Sequence, residues 1–286
     1  MRKRTIEVVV VSDLYLGSEV CRAHELLTYL SSIKPKTLVL NGGLVAAAGS
    51  GLYQLPKIQL KVIKKIVAMA SQGTAVYVLA DEKDFYLKKL WGIDVGTIKI
   101  RKELVLDLDC KKTWFLHGQH FDLGQRSAVF LKPFGRYSYA LLSRWNSLFA
   151  ALSALLRSTK VDPSHPLINS NRLKQFRSYA ISCAGNRGFE TIACGYTGHA
   201  DKHLKEGKYG DVLYLNSGNW LGEMTTLEYA FKRWKVYKYQ ADKCSAFYTD
   251  EDLKTLDLRD IKALADLPRK HKAAKDSKSF LHKRVS

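Results

Sequence analysis

The chain has 286 residues, of which 46% are apolar, enough to bury one large core. Its formal net charge is +19, with 46 Lys and Arg against 27 Asp and Glu, which favours polyanionic partners such as anionic lipid surfaces, lipid phosphates or nucleic acid. The five cysteines lack CxxC spacing, which argues against a disulfide framework and suits a reducing, cytoplasmic setting. No apolar run reaches the ~20 residues of a membrane span, and the start, Met-Arg-Lys-Arg-Thr-Ile-Glu-Val, has too few apolar residues for a signal peptide.

In chain order, β-branched runs predict strands over 6–12, 37–41, 74–79, 97–109 and 112–117. Apolar spacing at the helical period predicts helices over about 20–32 and 57–71. This alternation implies a βαβ start and an α/β fold, with ligands at the carboxyl ends of the strands. Later strands are expected near 189–194, 211–216, 223–231 and 233–239. Between them, residues 123–188 are helical, basic and aromatic, and a helix is expected to begin near Asn169. From 241 to 286 the chain is a basic extension poor in core residues, expected to be partly disordered.

Six short blocks sit at strand ends. They are Ser12-Asp13-Leu14-Tyr15-Leu16-Gly17, Asn41-Gly42-Gly43, Ala80-Asp81-Glu82-Lys83-Asp84, His117-Gly118-Gln119-His120-Phe121-Asp122, Gly195-Tyr196-Thr197-Gly198-His199 and Asn216-Ser217-Gly218-Asn219-Trp220. Their order and spacing over residues 5–240 resemble the calcineurin-like metallophosphoesterases, closest to the UDP-2,3-diacylglucosamine pyrophosphatase group of lipid A biosynthesis. The resemblance implies an α/β sandwich of two β-sheets flanked by helices. It also implies a metallophosphoesterase-like domain over 1–240 with a helical cap insertion at about 123–188. That group consists of two-metal hydrolases, usually manganese-dependent.

The departures fall on ligand positions. Tyr15 stands where the family has histidine, Gly43 replaces the bridging aspartate, and Tyr196 and Gly198 replace the two histidines of Gly-His-x-His. Glu82 and Lys83 replace the family's His-Asp, and Asn219 replaces an aspartate. Asp13 and His117 remain, Asp81 stands at an asparagine ligand position, and His199 lies one residue beyond the fifth block. A phenol with a pKa about 10 is rarely ionised at neutral pH and is a poor ligand for such metals. A two-metal site also needs a bridging carboxylate. Asp13, Asp81 and His117 would therefore hold at most one weakly bound divalent metal, or none.

Two functions follow from the resemblance. One is a catalytically degenerate member that binds a lipid or nucleotide-sugar, or an anionic membrane surface at the inner face of the membrane. The other is an active phosphoesterase or pyrophosphohydrolase with a reduced or rearranged metal site. Within the cap, Arg126, Arg136, Arg144 and Arg157 lie among aromatic residues and are candidates for lipid or phosphate contact, beside the alternative of a helix packed on its own domain. Nucleic acid is the less favoured partner, because no RNA-recognition, helix-turn-helix or zinc-finger signature is present.

Overall fold

The computed structural model describes residues 3–45, 55–80, 85–122, 170–205 and 210–240. The elements run β1 (Arg4–Val11), α1 (Ala23–Ser32), β2 (Ile33–Asn41), α2 (Lys57–Ser71), β3 (Ala75–Leu79), α3 (Phe85–Lys88), β4 (Asp94–Val95), β5 (Ile98–Arg101), β6 (Leu104–Leu108) and β7 (Lys111–Phe115). They continue as α4 (Ser170–Asn186), β8 (Thr191–Cys194), β9 (Ala200–Lys205), β10 (Val212–Ser217), β11 (Thr225–Ala230) and β12 (Arg233–Lys238). Two sheets form, in the orders β12-β11-β1-β2-β3-β5-β4 and β6-β7-β8-β10-β9.

Hydrophobic patterning explains the layering. The run Val8-Val9-Val10-Val11 is apolar at every position because both faces of β1 are covered. Val8 and Val10 face Phe115, Ala193 and Leu215 of the second sheet. Val9 and Val11 face α1 and α2, which bury Leu26, Leu27, Leu30, Val62, Ile66 and Met69. On the outer side of the second sheet, α4 buries Phe176, Ala180, Ile181 and Ala184 against Trp114, Ile192, Cys194 and Tyr214. The result is the expected α/β sandwich of two sheets flanked by helices.

Most predicted strands and both early helices are present; the short α3 and β4 are additional, and two further differences have a physical reason. The single strand expected over 97–109 is two, because Lys102-Glu103 turns the chain from β5 in one sheet to β6 in the other. The strand β9 was not predicted. Its sequence Ala-Asp-Lys-His-Leu-Lys has little apolar content because it lies at a sheet edge with exposed positions. Of the expected cap, residues 170–186 form α4, which packs directly on the second sheet. Residues 123–169, with Arg126, Arg136, Arg144 and Arg157, lie outside the described residues, as does 241–286. Among the described residues no helix is long and apolar enough to cross a membrane. Cys21, Cys110, Cys183 and Cys194 are free thiols.

Candidate functional site

The carboxyl ends of β1, β2, β7, β8 and β10 converge where the two sheets meet, and backbone bonds fasten their loops together. Asp13 N–H donates to Gly42 O (3.1 Å), Tyr15 N–H to Gly43 O (2.8 Å) and Gly42 N–H to Leu79 O (2.8 Å). Within the second sheet, Gly195 and Tyr196 N–H both donate to His117 O at 3.1 and 3.0 Å. Buried side chains complete the ties. Ser12 Oγ meets Ser217 Oγ at 2.5 Å, Ser217 Oγ donates to Cys194 O (3.2 Å), and Asn41 Nδ2 donates to Leu116 O (3.1 Å).

Asp13 is fully buried and has a left-handed backbone, φ 57°. Tyr15 is half-buried with φ 47°, a conformation uncommon for a bulky residue. The glycines at 42 and 43 make the centre compact. A Cβ on Gly42 would lie 2.2 Å from His117 Nδ1, and a Cβ on Gly43 would lie 2.3 Å from Asp13 Oδ1. The His117 ring and the Asp13 carboxylate therefore occupy the space above consecutive glycines. His117 is buried, and its Nδ1–H donates to Asn41 O at 3.0 Å, which presents Nε2 as the acceptor nitrogen.

Tyr196 has a separate function. Its hydroxyl donates to Asp122 Oδ2 at 3.0 Å, and Arg172 clamps the same carboxylate through Nε (2.9 Å) and Nη2 (2.5 Å). The Asp122 hydrogen bonds hold the Arg172 guanidinium above its ordinary pKa. The Tyr196 ring stacks on Phe176 of α4 at 5.9 Å and meets His117 edge-on at 5.7 Å. Gly198 has φ 69° and its carbonyl accepts from Asn219 Nδ2 at 2.7 Å. An aspartate at 219 would lack that donor. His199 is about half exposed and pairs with Glu223 at 3.1 Å.

Of the predicted site residues, the structure brings Asp13, His117, Gly43 and Tyr196 together, while His199 points to Glu223. Asp81, Glu82 and Lys83 lie outside the described residues. Arg172, Glu223 and the Ser12–Ser217 pair escaped the sequence reading because their partners are 24 to 205 residues away.

The donors among the described residues do not make up a two-metal centre. Position 43 supplies no carboxylate, and the Tyr196 phenol is engaged by Asp122. Among the described residues no three His, Cys, Asp or Glu side chains are placed to hold a metal ion. Asp13 and His117 are the two donors that flank Gly42 and Gly43.

No family model matches the chain, and no curated protein matches it. Solved structures with a distant likeness include an archaeal phosphodiesterase (12% identity, 81% of this chain and 98% of that one, TM-score 0.40). Another is a conserved uncharacterised protein, a predicted phosphoesterase, from Streptococcus pneumoniae TIGR4 (12% identity, 83% and 90%, TM-score 0.36). A third is Vps29 from Entamoeba histolytica complexed with zinc (12% identity, 82% and 99%, TM-score 0.35).

Proposed function

We propose that the chain is a calcineurin-like metallophosphoesterase-family protein with a degenerate hydrolytic centre, related in sequence pattern to the UDP-2,3-diacylglucosamine pyrophosphatases. It acts by binding a lipid or nucleotide-sugar phosphate, or an anionic membrane surface at the cytoplasmic face. The observation that carries this reading is the commitment of Tyr196 to the Asp122–Arg172 pair. A family ligand position is used there for structure, and an adjacent one is a glycine under the Asp13 carboxylate. Phosphoryl chemistry with paired metals depends on clamping both the attacking and the leaving oxygen, and these residues supply no such clamp.

A second reading, a hydrolase with one metal, draws support from His117. Its Nδ1–H bond to a backbone carbonyl is the kind of orienting contact that metal-bound histidines make. Asp13 and Asp81 would be its companions, and the metal would supply Lewis acidity to a phosphoryl oxygen.

The test is metal content and turnover together. Purified protein given manganese is expected to bind fewer than two equivalents and to hydrolyse a UDP-diacylglucosamine substrate at background rate. Turnover at or above about 1 s⁻¹, the lower end of ordinary enzyme rates, that disappears in Asp13→Ala would overturn the degenerate reading in favour of the one-metal hydrolase.

A further inference from the structure

The opposite end of the sandwich, at the start of β1, carries features that the cleft does not explain. There β11 and β12 form a hairpin closed by the Ala230–Arg233 pair, leaving Phe231 and Lys232 as a two-residue turn. Both have left-handed backbones, φ 52° and 59°. Such turns favour Asn-Gly, because the left-handed backbone crowds Cβ against a carbonyl oxygen, a strain that glycine avoids and asparagine tolerates. Phenylalanine is a poor choice for this backbone and a poor choice for water, yet Phe231 is 85% exposed. Strain held at an exposed apolar tip motivates a search for a function.

Behind the tip lies a pocket of 710 Å³. Its walls include Arg4, Lys202, Arg233 and Lys235, with Trp234 and Phe231 among the apolar lining. The carboxylate in the lining, Glu228, is already held by Arg4 through two bonds of 3.1 Å. Three further cations, Lys202, Arg233 and Lys235, thus line the pocket beside the Arg4–Glu228 pair. Lys202 Nζ donates to Trp234 O (2.8 Å), which joins the edge strands β9 and β12 of the two sheets. Arg233 and Lys235 share the exposed face of β12, since they are two residues apart on one strand. Lys232, at the tip, reaches Asp109 of the neighbouring β6–β7 turn at 3.5 Å.

We propose that this end docks on an anionic bilayer, with a phospholipid headgroup phosphate in the pocket among Lys202, Arg233 and Lys235 and with Phe231 inserted into the interface beside it. The inference rests on the membrane-binding reading above and locates the contact at the end of the sandwich remote from the cleft. Charge complementarity selects a phosphate, and the projecting ring selects a bilayer over a soluble anion. A phenyl group at a hairpin tip gains most from an apolar layer lying just beyond a plane of phosphates.

The test uses the full chain in sedimentation with vesicles of phosphatidylcholine alone or mixed with phosphatidylglycerol, at low and high salt. Wild-type protein is expected to pellet with the mixed vesicles and to release as salt rises. The double variant Phe231→Asn with Lys232→Gly relaxes the turn, so its melting temperature should rise while its affinity for mixed vesicles falls about tenfold. Arg233→Glu with Lys235→Glu should abolish the preference for the anionic lipid. Unchanged vesicle binding in both hairpin variants overturns the proposal, as does loss of binding accompanied by a lower melting temperature, which would make the tip structural. Loss of binding confined to Arg136→Glu, Arg144→Glu, Arg157→Glu would sink the hairpin site and leave the earlier membrane reading standing. Absence of wild-type pelleting would remove both membrane readings, and tighter binding to a single-stranded RNA oligomer than to vesicles would assign the surface to nucleic acid instead.

Discussion

Gly43→Asp is expected to destabilise the fold by about 3 kcal/mol and to add no second metal. The glycine backbone is left-handed, φ 57°, which alone costs an L-residue roughly 1–2 kcal/mol. A Cβ there would also meet Asp13 Oδ1 at 2.3 Å and Asp13 Cα at 3.0 Å, and the second contact is backbone that cannot rotate away. A new carboxylate beside buried Asp13 adds like-charge repulsion. Gly43→Ala separates these effects, because it keeps the strain and contact but not the charge, and it should lose about 2 kcal/mol. Urea unfolding at constant m measures both. An unchanged midpoint in Gly43→Asp, together with two bound equivalents of manganese, would show that the centre still accommodates the family's bridging ligand.

The fold was legible where periodicity was strong. The four consecutive valines of β1 and the Ile58–Met69 stripe of α2 gave elements whose burial the structure reproduces. It was least legible where an element contributes little to the core. The polar edge strand β9 has no apolar alternation, and its ladder to β10 comes from backbone bonds that any sequence can make. The split between β5 and β6 was hidden because both halves are β-branched or leucine-rich, and a change of sheet leaves no mark on propensity.

At the site, the sequence located the loops but not the use of their side chains. Asn41-Gly42-Gly43 and His117-Gly118 read as strand-end turns, and the structure places them face to face. That His117 would lie flat over Gly42 depends on the absence of a Cβ at 42 and on a carbonyl 76 residues away. Likewise Tyr196 reads as a lost ligand, while its partner Asp122 is 74 residues distant and Arg172 comes from a helix in the segment expected to be a cap. Long-range pairing of polar groups leaves no local pattern, so nothing in the sequence around Arg172 marks it as the partner of Asp122.

Arg172→Ala is expected to cost about 2–3 kcal/mol, and Tyr196→Phe about 1.5 kcal/mol. Asp122 is 3% exposed, so its buried charge loses the guanidinium while keeping the Tyr196 hydroxyl bond. The figure lies below that for a fully enclosed pair because the Arg172 side chain is 35% exposed and water can approach from its side. Removing the hydroxyl instead takes away a hydrogen bond to a charged acceptor, while the ring keeps its stacking on Phe176. Tyr196→His, which places the resembled family's residue there, should be worse than Tyr196→Phe, since an imidazole is shorter than a phenol and brings a polar ring into a site 2% exposed. The double variant Arg172→Ala, Tyr196→Phe should be non-additive by roughly 0.5–1 kcal/mol, because both residues act on one carboxylate. Chemical denaturation of the four proteins gives the cycle. Additive losses of a few tenths each would mean that Tyr196 is not held by this network and that the position remains available to a ligand. A coupled loss would establish that the phenol at position 196 helps to fasten α4 onto the second sheet through Asp122 and Arg172.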